Sequence, residues 1–285
     1  MLAPLLGLLV ALLLPSTAAA ADYAGPLIDA HSHVPNASAI DAYAAAMKRH
    51  NIAKVVLLGV GGVQKDDPQW IAAAAKAHPD RVVAGLPVPE PTRGDAAGTL
   101  DVELARTKAH VMGEVHLRQL SRKIDRDPND THFLEILKLA AERGVPIVIH
   151  YEMTTASAAA QLEKALGTRP EAVVVLAHAG EAKPAEIEKV LARNANLMID
   201  LSGMHFQRTP SLASETGPLD AKWKALIEKM PERFIMGIDV WAPRLFEPTM
   251  LDRLMRWTRR VLGQLSPAAA ERVAWKNAAK LYRID

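Results

Sequence analysis

Eight short apolar runs, each followed by an amphipathic stretch, divide this chain into repeated strand–helix units. Strand candidates begin near Pro26, Ile52, Arg81, Val111, Val145, Ala172, Asn196 and Phe234, at intervals of 24 to 38 residues. Most are near-continuous rather than alternating, as in Val55–Val60 (VVLLGV) and Val173–His178 (VVVLAH). Such runs suit parallel strands buried on both faces. Helical patterns fill the intervals: Ala37–Asn51, Pro68–His78, Gly98–His110, Asn129–Gly144, Ala156–Leu166, Lys183–Ala195, Asp220–Met230 and Phe246–Leu265. A last helix, Pro267–Tyr282, closes the chain. Eight consecutive units predict an α/β fold, a (β/α)8 TIM barrel with an extra C-terminal helix.

The connections are asymmetric. Helix-to-strand links are short, as at His50-Asn51, His78-Pro79-Asp80 and Arg143-Gly144. Several strand-to-helix links are long: Gly61–Asp67, Gln119–Asp130, His205–Leu219 and Trp241–Leu245. Barrels of this kind build their sites from the loops that follow the strands. The polar, proline-punctuated 205–219 loop is either a lid or an ordinary surface loop.

Residues 1–20 differ from the rest. Leu5–Leu14 is apolar throughout, Pro15 breaks the run, and Ala18-Ala19-Ala20 supplies a small-residue cleavage pattern. This reads as an export signal, although no Lys or Arg precedes the run. The run is shorter than the ~20 residues that span a bilayer, so no stable membrane anchor is expected. Residues 21–285 then form the barrel domain, near the ~250 residues typical of one. With no cysteine, neither disulfides nor thiolate ligands are available. Export without disulfides suits a bacterial periplasm. Net charge is +2, with basic and acidic residues intermixed, so no nucleic-acid partner is expected. Arg256, Arg259 and Arg260 read as a solvated helix face.

Chemistry-bearing residues collect at the strand ends. His31 and His33 end the first strand two residues apart, so both face the same way. His150 ends VIH, His178 ends VVVLAH, and Asp239 follows FIMGI. On one barrel face, four imidazoles and a carboxylate form one possible site for a divalent metal. Each histidine alone could be an ordinary core residue; together they favour the site. Glu114 shares parity with His116 and Arg118 on VMGEVHLR. Pointed inward, it could ligate and even bridge two ions; pointed otherwise, it would pair with Arg118 or another cation. His116 is ligand, substrate contact or neither. Asp29, one layer below His31, is placed to orient a ligating imidazole. His50, His78 and His110 fit helix C-termini, and His132 an exposed first turn. His205 opens the long loop, as a substrate contact or a plain surface residue. No G-x-S-x-G elbow, P-loop, H-E-x-x-H or helix-opening G-x-G-x-x-G occurs.

These residues resemble the amidohydrolase superfamily, in the order His31-Ser32-His33, His150, His178, Asp239 on strands 1, 5, 6 and 8. The phrases GIDVWAP and KNAAKLYRI are similar to its amidohydrolase-related branch, which contains hydrolases and decarboxylases. The resemblance covers the chain beyond residue 20. It implies that His31, His33, His150 and Asp239 hold a catalytic metal, with His178 as a polarising or acid/base residue. Glu114 in GEVHL resembles the bridging glutamate of TatD-like metal hydrolases. In that form His150 and His178 hold a second ion.

The expected function is metal-dependent hydrolysis of a small molecule at a carbonyl or phosphoryl centre. One or two divalent ions, with Zn²⁺ expected, would activate water. Asp239 would take its proton, and His178 would help stabilise the developing charge. Arg118 and Arg244 are candidates to hold an anionic substrate group, and Trp241 to pack against it. The alternatives are a non-oxidative decarboxylase of an unsaturated or aromatic acid, and a metal-containing binding protein without turnover. Substrate identity, the choice of ion and oligomeric state stay open.

Overall fold

The computed structural model describes residues 21–60 and 65–284. Residues 1–20, read above as an export signal, lie outside the described residues, as do 61–64 of the first long loop. Eight parallel strands alternate with helices. They are β1 (Leu27–Ser32), β2 (Ile52–Leu57), β3 (Val82–Ala84), β4 (Met112–Gln119), β6 (Ile147–Tyr151), β7 (Val174–Leu176), β8 (Leu197–Asp200) and β9 (Phe234–Ile235). A short antiparallel strand, β5 (Ile124–Asp125), pairs with the end of β4.

The strands run β1-β2-β3 and β4-β6-β7-β8-β9, and backbone hydrogen bonds join the two groups at both edges. Leu86, just past β3, bridges to Met112 of β4. On the other edge, Ala30 N donates to Met236 O at 3.0 Å, Asp239 N to His31 O at 2.8 Å and His33 N to Val240 O at 2.8 Å. The last two bonds place the end of β1 against the segment carrying Asp239.

The helices α1 (Ala39–Arg49), α2 (Asp67–Ala77), α3 (Ala96–Thr107), α4 (Thr131–Arg143), α5 (Ala156–Thr168), α6 (Pro184–Arg193), α7 (Ala221–Lys229) and α8 (Pro248–Leu262) follow the strands. Local chemistry sets several ends. The Asp130 carboxylate accepts from the N–H groups of His132 and Phe133, satisfying orphan donors of α4. Gly144 closes α4 in the left-handed region, at φ +60°. Strand residues facing outward pack under these helices; those facing inward make a second, smaller core.

That inner core includes Ile28, Val56, Val111, Val148, Val175 and Ile235, all but Val56 at or near the beginnings of their strands. It is completed from the chain's end. The terminal segment is α9 (Pro267–Glu271), a π-helical stretch (Arg272–Lys276) and α10 (Asn277–Tyr282). Ala278, Ala279 and Tyr282 of α10 pack into the inner core. The extra C-terminal helix therefore plugs the end of the barrel where the strands begin, and the other end is left for chemistry. Truncating Tyr282 to Ala would cost about 3–5 kcal/mol, as for other buried aromatic residues.

Three local features differ from the sequence reading. Arg259 donates to the carbonyls of Tyr23, Gly25, His50 and Asn51, and Arg260 to those of Ser214 and Gly217. These arginines tie neighbouring segments to α8, so they do not form a solvated face. The 205–219 loop is likewise anchored. Leu212 is fully buried, Glu215 takes a bidentate bond from Arg253 at 2.6 and 2.7 Å, and Trp257 donates to Ala213 and Ser214. Finally, the strand expected through His178 ends at Leu176, and His178, Ala179 and Gly180 turn sharply at φ between +49° and +58°. No helix among the described residues is long and apolar enough to cross a membrane.

Candidate metal centre

His31 and His33 leave the end of β1 fully enclosed, and their outer partners fix which nitrogen carries the proton. His31 Nδ1 lies 2.6 Å from Asp200 Oδ2, and His33 Nδ1 lies 2.8 Å from the carbonyl of Leu58. Both partners only accept, so each Nδ1 donates and each Nε2 presents a lone pair. The two Nε2 atoms are 3.2 Å apart. Glu114 Oε2 lies 3.7 Å from each of them, and Asp239 Oδ1 lies 3.5 Å from His33 Nε2. Two lone pairs and two carboxylates thus converge on one dry spot. Burying that much electron density without a cation is prohibitive.

The other side repeats the pattern. His178 Nδ1 sits 2.8 Å from the carbonyl of Ser202, so it donates there, and its lone pair at Nε2 faces Glu114 Oε1 at 3.2 Å. His150 Nδ1 lies 3.0 Å from the same Oε1. Its Nε2 is buried without a hydrogen-bond partner among the described residues, 3.8 Å from Glu152 Oε1. The outer oxygen, Oε2, also meets His116 Nε2 at 2.9 Å.

Charge coupling across the cluster is strong. Burial alone would keep His31 neutral, but Asp200 and Glu114 raise its pKa well above the usual value. Burial likewise opposes the charge on His150, yet Glu114 and Glu152 raise it to about 9. Burial would raise Glu114 and Asp239; neighbouring imidazoles, with Arg208 beside Asp239, instead hold both carboxyls low and ionised. His178 differs: burial outweighs its anionic neighbours, and its pKa falls.

Backbone geometry permits the close approach. His178 and Asp239 adopt φ of +55° and +59°, uncommon for residues with a side chain and of a kind that gathers at functional sites. Gly203, at φ +68°, packs against both. A Cβ there would lie 2.7 Å from Asp239 Oδ2 and 3.0 Å from His178 Nδ1. Only glycine serves at that position.

These groups floor a cavity of about 280 Å³ whose lining also includes Arg122, His205, Arg208, Trp241 and Arg244. Of the residues singled out in the sequence, His31, His33, Glu114, His150, His178 and Asp239 are brought together. Trp241 and Arg244 stand at the mouth. Arg118 does not belong there. Its Nε bonds Asp125 of β5 at 3.2 Å and its Nη1 the carbonyl of Glu152 at 2.8 Å. The register between β4 and β6 slips between His116 and Arg118, breaking the alternation that would have aimed Arg118 inward. Asp29 orients no imidazole either. It accepts from Ser32 Oγ, Tyr43 Oη and the N–H groups of His31 and Ile238. Asp200 takes the orienting role instead.

Asp200, Arg122 and Arg208 are residues missed in sequence. Asp200 ends an apolar run (LMID) in the manner of Asp239, and that was the available signal. Arg208 pairs with Asp239 Oδ2 from within the long loop, where nothing in the sequence marks it.

The amidohydrolase family model matches residues 26–284, and the chain belongs to that family. No curated protein matches. Among solved structures, an uncharacterized TIM-barrel protein from Bordetella bronchiseptica is similar at 16% identity, with a TM-score of 0.67, covering 91% of this chain and 99% of that one. A dihydroxybenzoic acid decarboxylase from Polaromonas sp. JS666, with bound manganese and the inhibitor 2-nitroresorcinol, aligns at 14% identity and a TM-score of 0.64, covering 91% and 97%. A probable 2-pyrone-4,6-dicarboxylic acid hydrolase from Acinetobacter baumannii, with citric acid bound, aligns at 17% and 0.61, covering 90% and 99%. These likenesses show the TIM-barrel fold, which one parent scaffold shares among several chemistries. The family and the cluster of His and Glu donors together point to a divalent metal.

Proposed function

We propose that this protein is a metal-dependent hydrolase of a small molecule, acting at an ester, lactone, amide or phosphoryl centre. The observation that carries this reading is the division of Glu114: Oε2 faces His31 and His33, and Oε1 faces His150 and His178. A carboxylate shared in this way suits two ions rather than one. His31, His33 and Asp239 would hold one, His150 and His178 the other, with Glu114 common to both. Divalent ions held there would lower the pKa of water and polarise the bond under attack. Imidazole and carboxylate donors suit Zn²⁺, and Mn²⁺ is the next ion to test, given its presence in the structurally similar decarboxylase.

The chain's own residues do the rest. Asp239 is ionised and enclosed, with Arg208 holding Oδ2. That leaves Oδ1, on the floor beside His33, to accept a proton from the attacking water and return it to the leaving group. His178, kept by Ser202 in one tautomer, presents Nε2 to Glu114 Oε1 at 3.2 Å. Decarboxylation is the second reading, supported by the decarboxylases that share the fold. Bound metal without turnover would support a binding protein.

The test is a metal-replete preparation assayed for ions per chain, for hydrolysis of an ester, lactone and amide panel, and for CO₂ release from aromatic acids. Two ions with hydrolysis is the expected result. One ion with CO₂ release and no hydrolysis would overturn it.

A further inference from the structure

On the cavity floor, His150 Nε2 is the one imidazole nitrogen without a hydrogen-bond partner among the described residues; the mouth is less well matched. Three guanidinium groups line the cavity, from Arg122, Arg208 and Arg244, against two carboxylates, Glu114 and Asp239. The lining is therefore net cationic before any metal is counted, and each divalent ion adds to the imbalance. Arg208 is committed to Asp239 and, at 3.9 Å, approaches Glu181. Arg122 has no such partner among the described residues: its Nη1 is buried and makes no hydrogen bond with them. It lies over the Trp241 ring, 5.7 Å from the centroid, which holds the guanidinium at the rim.

His205 adds a second unsatisfied donor. Its Nδ1 accepts from Gln207 N at 3.2 Å, so in the neutral ring the proton sits on Nε2. That Nε2 is buried and has no hydrogen-bond partner among the described residues, and the residue is only 3% exposed. An unmade hydrogen bond of this kind costs free energy unless a ligand completes it. Both orphan groups donate, so the missing partner is an acceptor. In a cationic mouth the acceptor best matched is an anion, and a planar carboxylate fits the guanidinium fork.

We propose that the substrate is a small acid: beside the bond that reacts over Glu114 and Asp239, it carries a carboxylate held by Arg122, Arg244 and His205. This rests on the hydrolase reading for the reacting bond but not for the anion site. The arrangement selects a half-ester, lactone acid or amide acid over its uncharged counterpart. Trp241 covers the apolar side of such a molecule.

The test uses the full metal-loaded chain and two readouts. Calorimetric binding is measured for acetate, benzoate and isophthalate, each against its primary amide, and hydrolysis for monomethyl against dimethyl isophthalate. Carboxylates should bind at least tenfold tighter than the amides, with affinity falling as salt rises. Arg122→Met with Arg244→Met should lower carboxylate binding about 10- to 100-fold, leave amide binding unchanged, and raise KM for the half-ester more than it lowers kcat. Arg122→Lys, keeping charge without the fork, should fall between. The thermal transition of each variant reports folding. Equal binding of acids and amides, binding of neither, or variants that keep wild-type preference would overturn the proposal. Tight carboxylate binding without ester cleavage would sink the hydrolase reading alone; equal cleavage of both esters without carboxylate preference would sink the anion site alone.

Discussion

The floor of the cavity and its rim are built on opposite principles. Three floor imidazoles have their outward nitrogen fixed: His31 by Asp200, His33 by Leu58, His178 by Ser202. These residues come from strand ends and the turns just past them, where the closed barrel leaves little freedom. The rim residues Arg122, Trp241 and Arg244 come from loops, and Trp241 is 36% exposed. The contrast teaches a division of labour. A metal centre needs donors set to within fractions of an ångström, which strands supply; recognition needs surfaces that can vary without disturbing that centre, which loops supply. Substitutions should therefore act on turnover and metal content at the floor, and on KM at the rim.

The largest effect is expected from Asp239→Asn. Asn keeps the shape and one oxygen but cannot take a proton, so turnover should fall by ~10²–10⁴-fold. The fold should survive, because the barrel core is apolar. Turnover, metal content and the thermal transition, read on one preparation, decide it. A folded, metallated variant with near wild-type turnover would remove Asp239 from the mechanism and move the proton-accepting role to His178.

Metal content sharpens the floor side further. Glu114→Gln should lower bound metal from near two equivalents toward one, because the amide cannot serve two ions equally. Asp200→Asn should weaken metal affinity about 10- to 100-fold through the loss of the His31 partner alone. Competition with a chelator measures both. If Glu114→Gln and wild type each hold one equivalent, the bridge is absent.

The contrast also explains what was legible in sequence. Near-continuous apolar runs are forced on any strand buried on two faces, so the eight strands could be read directly, as could His31, His33, His150 and Asp239 at their ends. Helix limits were close, as in Ala37–Asn51 against the observed Ala39–Arg49, because capping shifts ends by only a few residues. Strand β5 was hidden inside the Gln119–Asp130 loop, being two residues long and held by pairing alone. Arg118 misled because parity assumes an unbroken ladder, and the ladder slips one residue before it. Asp200 could have been found by treating LMID as FIMGID was treated. His205 was open as a substrate contact or a surface residue, and it lines the cavity; Arg122 and Arg208 could not be found, since loop conformation brings them to the cavity and their own sequence context carries no periodic signal.

His205 tests whether the rim's lower edge is built as a neutral donor. Burial, only partly offset by Asp239, depresses its pKa to about 4, against 6.5 unfolded. The unfolded chain therefore binds the proton more readily. The stability this group contributes is present above pH 6.5 and is lost as pH falls from 6.5 through 4. The loss amounts to about 3 kcal/mol at its limit. His205→Gln, which keeps a donor without the titration, should flatten that part of the stability profile. Denaturant unfolding between pH 4 and 7 measures it, and an unchanged slope would show that His205 does not stay neutral in the fold.

The smallest effect should come from Trp241→Leu. Trp241 is about one-third exposed, and its contact with Arg122 is that of a rim cation–π pair, worth about 0.5–1 kcal/mol. Surface substitutions away from buried features usually change stability by no more than about 0.5 kcal/mol, so the thermal transition should scarcely move. Metal content should not move, because Trp241 touches none of the donors on the floor. What should change is KM, by a few-fold, as Arg122 loses the face that steadies it and the substrate loses an apolar wall. A steady-state comparison on one metal-replete preparation separates the parameters. If kcat falls while KM holds, Trp241 acts on the reacting groups, and the boundary between floor and rim lies further out than the geometry of His33, Glu114 and Asp239 suggests.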